Sequence, residues 1–141
     1  MLLPKKVKYR KWQTGRTNPK KHRVDLRGSA VSFGSYGLKA QSAGRLRSQQ
    51  IEAARKAMAH LAGKNGKIWI RVFPDRPYTA KAAEVGMGSG KGDVQGYSIE
   101  VHPGRVIFEV DGLSTTDARE ALRKAGTKLP IKTKIVSRQI A

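Results

Sequence analysis

Glycine recurs at every second position of the segment Met87–Gly92, MGSGKG, and a lysine lies between its last two glycines. Glycine leaves backbone N–H groups open to a ligand and lysine adds a positive charge, so a segment of this kind can bind an anion. The surrounding loop, at about residues 80–96 and including Lys81, is therefore a candidate phosphate-binding loop.

The spacing within this loop argues against nucleotide hydrolysis. A P-loop needs a glycine five residues before the glycine of its Gly-Lys pair and Ser or Thr after the lysine, but Val85 and Gly92 occupy these positions. The dinucleotide-binding pattern fails as well, because Lys91 and Asp93 stand where its third glycine is required. Two interpretations remain: a solvated hairpin loop, or a loop against nucleic-acid phosphates, which we favour.

The overall charge favours a nucleic-acid partner. The chain of 141 residues carries 29 Lys and Arg against 10 Asp and Glu, a formal net charge of +19. A polyanion would relieve the resulting self-repulsion. The sequence has no cysteine, which excludes a disulfide framework and fits an intracellular protein. Its apolar runs are far shorter than the roughly 18 residues of a transmembrane helix. We expect one domain that binds nucleic acid and no membrane.

The residues that usually carry catalysis are scattered. His22, His60 and His102 lie in separate elements without the spacing of metal ligands. Serines and threonines are frequent, but none lies in a nucleophile elbow. We therefore predict that the protein is not an enzyme and needs no metal or cofactor.

The first 27 residues form a basic N-terminal arm with ten Lys or Arg and one acid, Asp25. Prolines and charge indicate an extended segment with little structure of its own. Aromatic rings, including His22, lie among the cations, where rings can stack on bases and cations can pair with phosphates. The alternative is a disordered solubilising tail; we favour RNA contact. The candidate contacts in the arm are Lys5, Lys6, Lys8, Tyr9, Arg10, Lys11 and Trp12.

Periodicity predicts the elements that position these segments. The strand Ile68–Phe73 is rich in β-branched and aromatic residues and stops at Pro74. The other predicted elements are a strand within Gly28–Ala40, a helix from Ser42 or Ser48 to Gly63, a hairpin over Tyr97–Asp111 that turns at Pro103-Gly104, a helix from Ser114 to Gly126, and a strand over Ile131–Val136. These elements predict an α+β two-layer sandwich over residues 28–141, with two helices on one face of an antiparallel or mixed sheet.

Alternation assigns side chains to the two faces of this sheet. It directs Ile68, Ile70 and Val72 inward, and it places Arg71 on an outer face that is open to RNA. Further inward candidates are Val31, Phe33 and Leu38. Glu109 and Asp111 are interpreted as ordinary surface acids.

Six blocks of the sequence resemble one known family in the expected order. They are FGSYGLKA from Phe33, QIEAARKA from Gln50, GKIWIRVFPDRPYTAK from Gly66, MGSGKG from Met87, PGRVIFEVDG from Pro103 and KLPIKTKIV from Lys128. Together with the basic start MLLPKKVKYRK, they are similar to bacterial-type large-subunit ribosomal protein sixteen.

This resemblance implies an α/β-hammerhead fold and a structural role in the large ribosomal subunit. It implies binding to large-subunit rRNA and neighbouring ribosomal proteins, and a part in shaping the aminoacyl-tRNA site near the central protuberance and the peptidyl transferase region. A cytoplasmic or organellar ribosome would then be its location. Besides the arm residues Lys5 to Lys11, it points to the loop residues Lys81, Met87, Gly88, Ser89, Gly90, Lys91 and Gly92.

One position departs from the family. An arginine usually precedes the Met-Gly of the loop, whereas this chain has Gly86. Two other functions stay open: a non-ribosomal RNA chaperone or tRNA-binding protein on the same fold, and an enzyme acting on RNA. The enzyme would need an acid–base pair or a metal site, which the sequence does not offer.

Overall fold

A computed structural model describes residues 1–15, 21 and 23–138. These residues form seven strands and two helices. In chain order they are β1 (Tyr36–Ala40), β2 (Gly44–Arg47), α1 (Ser48–Ala62), β3 (Lys67–Ile70), β4 (Arg76–Ala80), β5 (Asp93–Val101), β6 (Val106–Asp111), α2 (Thr115–Thr127) and β7 (Thr133–Ser137).

The strands divide into two antiparallel sheets. A four-stranded sheet has the order β3-β6-β1-β7, and a three-stranded sheet has the order β2-β5-β4. Helix α1 contacts α2 and β3, and it also contacts β2 and β5 of the other sheet. This helix therefore joins the two sheets, while α2 packs on β1, β6 and β7.

Local hydrogen bonds favour the start of both helices, and a glycine favours the end of α1. The Gln50 side chain accepts a hydrogen bond from the Arg47 N–H at the start of α1, at 2.9 Å. Helix α1 ends at Gly63, whose φ of 60° suits glycine. The Ser114 hydroxyl accepts a hydrogen bond from the Asp117 N–H at 3.3 Å and caps α2.

The core lies between the helices and the sheets. Helix α1 buries Ile51, Ala54 and Met58, and helix α2 buries a stripe rich in alanine. Alanine lets the helices approach closely and lets the large side chains of the four-stranded sheet fill the remaining space. The largest of these side chains, Phe108 and Leu38, are almost fully buried.

The structure confirms the predicted fold class. The inward positions of Ile68, Ile70, Val72 and Leu38 are also confirmed, because these residues belong to the core or pack against it. The last strand begins two residues later than predicted, at Thr133, and α2 continues one residue beyond Gly126.

The predicted β-hairpin is wrong. Strands β5 and β6 belong to different sheets, because β5 lies between β2 and β4 while β6 lies between β3 and β1. The Pro103-Gly104 turn connects two sheets instead. Its Gly104 N–H donates to the Ala40 carbonyl at 2.8 Å, so β1 already occupies the edge of β6 that a hairpin partner would need.

The strand predicted over Ile68–Phe73 is shorter than expected. Strand β3 ends at Ile70, and the Arg71 N–H still donates to the Ile107 carbonyl at 2.8 Å. Pairing stops there, and the next N–H of β6, that of Val106, donates to the Gly28 carbonyl at 2.8 Å. Phe73 is exposed as a result.

Two predictions about the segment before β1 and the acids of β6 are also wrong. Phe33 is 57% exposed and lies outside any strand, and Glu109 is fully buried. The backbone N–H groups of Ser32, Phe33 and Gly34 donate to one Glu109 carboxylate oxygen at 2.8, 2.9 and 3.1 Å. This carboxylate holds the segment across the sheet face that was expected to be open.

Candidate nucleic-acid interface

The loop between β4 and β5 is the most exposed part of the fold, with residues 81–91 all exposed. Its tip turns sharply, because Gly88, Ser89 and Gly90 all have positive φ, at 106°, 64° and 97°. Glycine is favoured at such angles. A Cβ at Gly88 or Gly90 would meet open space, so the conformation rather than packing explains these glycines. The tip therefore presents bare backbone to a partner.

Three lysines connect this loop to the N-terminal arm and to itself. The Lys91 ammonium donates to the Trp12 carbonyl, and the Lys11 ammonium donates to the Lys91 carbonyl at 3.3 Å. The Lys81 ammonium, at the start of the loop, donates to the Gly88 carbonyl at its tip. The arm and the loop, which are about 80 residues apart in sequence, thus lie side by side.

Two arginines of the three-stranded sheet hold the arm at Gln13 and Thr14. Arg76 donates to the carbonyls of Gln13 and Thr14 at 2.7 and 2.6 Å, and Arg45 donates to Thr14 at 2.9 Å. The Arg76 guanidinium also lies over the Trp12 ring, 5.6 Å from its centroid. These contacts fix the backbone that follows Trp12.

We call residues 1–15 and the loop residues 81–92 together the arm–loop surface. Its side chains at Lys5, Lys6, Lys8 and Arg10 are exposed, as are the rings of Tyr9 and Trp12. Met87 projects fully into solvent at the tip of the loop. Exposed cations with interleaved rings suit a single-stranded or loop region of RNA, where phosphates and unstacked bases are both accessible. His22 and residues 16–20 lie outside the described part of the chain.

The family model for ribosomal protein L16p/L10e matches residues 4–136. The chain belongs to the ribosomal protein L16p/L10e family. It is therefore a structural protein of the large ribosomal subunit and associates with large-subunit rRNA and ribosomal proteins. The match confirms the resemblance stated from the sequence. It extends over most of the arm, the whole loop and all of the two sheets except Ser137.

Arg71 of this L16p/L10e family member directly follows β3, which belongs to the four-stranded sheet. Its guanidinium forms an ion pair with Glu109 at 3.0 Å, donates to the Ala30 carbonyl at 2.6 Å and lies 5.5 Å from the centroid of the Phe33 ring. Its side chain is 18% exposed. The predicted contact of Arg71 with RNA remains a prediction, and the structure adds an internal partner for its charge.

Sequence reasoning missed the arginines that anchor the arm. Arg45 and Arg76 contact residues 31 to 63 positions away, and no local pattern indicates such partners. The alternation of Arg45 and Arg47 around buried Leu46 is the one available signal, since it places both arginines on the outer face of β2. Arg47 lies over the Tyr78 ring at 4.8 Å from its centroid, which continues the pairing of arginines with rings along this sheet.

Neither a membrane span nor a metal site emerges from the described residues. Neither helix is long and apolar enough to cross a membrane. The His, Asp and Glu side chains of the described residues form no group of three that would hold a metal ion.

Replacing Lys91 with alanine tests whether arm and loop act together. We expect modestly weaker binding to purified large-subunit rRNA, with a plot of log K against log salt that is shallower by about 0.7 to 0.9 for one lost phosphate contact. The arm should also loosen, because the Trp12 carbonyl loses its donor. Lys64→Ala, at an exposed lysine after α1, is the matched control. Equal slopes for the two variants would contradict a specific role for Lys91.

Proposed function

We propose that this protein binds large-subunit rRNA through the arm–loop surface and helps to shape the aminoacyl-tRNA site. The observation that carries the proposal is the link between Lys91 and Trp12, which joins two basic segments into one exposed surface. The resemblance stated above supports the position on the ribosome. The protein would be ribosome-bound in the cytoplasm or in an organelle.

The proposed mechanism is charge neutralisation combined with shape. Each lysine or arginine that pairs with a phosphate releases counterions, which makes binding favourable and dependent on salt. The bare backbone at Gly88 and Gly90 allows an RNA strand to approach more closely than side chains would permit. Neither step makes or breaks a covalent bond.

The loop has Gly86 at the position where the family usually has an arginine, so the contact of that arginine is missing. A Cβ at Gly86 would meet no atom within 4 Å, so space does not demand glycine there. The forked donor set of an arginine is missing. We propose that the Lys91 ammonium, together with the backbone N–H groups beside it, supplies the positive charge in this part of the loop.

A cleavage probe on the loop tests whether the loop lies near the aminoacyl-tRNA site. The chain has no cysteine, so Ser89→Cys provides a single attachment point for an iron chelate that produces hydroxyl radicals. The labelled protein is assembled into large subunits, which are then isolated by sedimentation. In these subunits the chelate should cleave rRNA around the aminoacyl site and the tRNA bound there. Thr115→Cys, at the exposed start of α2, is the control.

Each failure of this experiment has a separate meaning. Cleavage of the tRNA from position 115 but not from position 89 would contradict the proposed orientation. Labelled protein that stays in the light fractions and never enters the large subunit would favour the RNA chaperone or tRNA-binding alternative.

A further inference from the structure

A small cleft lies between the arm and the residue that precedes β4. It has a volume of about 180 Å³, and the rings of Tyr9 and Trp12 line it together with Asp75. Pockets for drug-sized ligands are usually larger, at about 300 to 1,000 Å³. The cleft therefore suits one planar ring system.

The Trp12 ring is held before any ligand arrives. Arg76 lies over the Trp12 ring and binds the backbone immediately after it, so this ring cannot swing freely. The Lys8 ammonium lies 5.5 Å from the centroid of the Tyr9 ring. A preorganised platform of this kind binds a flat ligand with less loss of conformational entropy.

Asp75 gives the cleft a specific acceptor. This carboxylate is exposed and makes no hydrogen bond or ion pair with another residue of the described part of the chain. The Asp75 oxygens are therefore open to hydrogen-bond donors of a ligand. Lys6 and Lys8 line the same cleft and are suited to phosphates on either side of a bound base.

We propose that this cleft binds one unpaired nucleobase of RNA and that Asp75 selects guanine. The base would stack on Trp12 and Tyr9, and the two Asp75 oxygens would accept the adjacent N–H groups of the guanine Watson–Crick edge. Uracil offers only one such donor, and inosine lacks the exocyclic amino group. This inference rests on the proposed function, since it needs the arm to contact RNA.

Short oligoribonucleotides test the inference directly. The probes are heptamers of uridine with guanosine, inosine or uridine at the centre, and the readout is the fluorescence of Trp12 in a Trp69→Phe background. The chain has two tryptophans, so this change leaves Trp12 as the only reporter. We expect quenching, and about tenfold tighter binding of the guanosine probe than of the inosine probe, as for a hydrogen bond to a charged group.

Asp75→Asn should lower this guanosine-to-inosine ratio to near one while stacking persists. Asp93→Asn removes the same charge from another exposed acid and should keep the ratio. Labelling with 5-fluorotryptophan and ¹⁹F NMR repeats the test with Trp69 intact, in case the background variant folds poorly. An unchanged ratio in Asp75→Asn overturns the inference, whereas rRNA binding with normal salt dependence would leave the proposed function standing. No binding to any RNA overturns both.

Discussion

Replacing Glu109 with glutamine should destabilise the fold by about 3 kcal/mol, because removal of one partner from a buried ion pair leaves the other charge uncompensated. Glu109 is fully buried, 3.0 Å from the Arg71 guanidinium, and its other oxygen accepts three backbone hydrogen bonds. Glutamine keeps the shape and one acceptor but loses the charge. Denaturation with urea, followed by circular dichroism, measures the effect.

Glu120→Gln is the matched control for this prediction. Glu120 forms an ion pair with Arg123 at 2.7 Å, but both side chains are exposed. Exposed pairs contribute about 0 to 1 kcal/mol, so this change should have little effect. Equal midpoints for Glu109→Gln and the native protein would show that the buried carboxylate does not hold the segment before β1.

Arg71→Met in the same assay separates a structural from an RNA-binding role. If stability falls and the salt dependence of rRNA binding is unchanged, the role of Arg71 is structural, through its ion pair with Glu109. A shallower salt dependence with native stability would support the contact with RNA that the sequence predicts.

Neutralising the arm should weaken RNA binding more than any single change. The variant replaces the five cations between positions 5 and 11 with glutamine, at Lys5, Lys6, Lys8, Arg10 and Lys11. If each pairs with a phosphate, the slope of log K against log salt should become shallower by about 3.5 to 4.5. The measurement is a salt titration of binding to purified large-subunit rRNA.

This variant should fold normally, because four of the five side chains are exposed. It is a cleaner test than deletion of residues 1–11, since Leu2 packs against the core. The control neutralises five exposed cations elsewhere, at Lys56, Lys64, Lys67, Arg119 and Lys128. An equal loss in the control would mean that total charge, not the arm, determines binding.

Features with local causes could be predicted from the sequence. The apolar stripes of both helices, the Ser114 cap and the Gly63 stop depend on residues three or four positions apart, so periodicity and capping chemistry located them. The basic arm and the glycine–lysine loop were evident for the same reason. Their contacts with RNA remain predictions.

Features that depend on distant partners were decided by the tertiary structure. Alternation shows that a strand has two faces, but it does not say which strand lies beside it, so Tyr97–Asp111 suggested a hairpin although β5 and β6 pair with other strands. Glu109 looked like a surface acid because its three N–H donors lie about 75 residues earlier in the chain.

The amino-acid sequence alone therefore predicted the charge, the family and the helices, because these follow from composition and short-range spacing. Only the folded chain placed Lys91 against Trp12, about 80 residues apart, and made one surface of the arm and the loop. Contacts at that separation depend on how both sheets close around α1, and no local propensity encodes them.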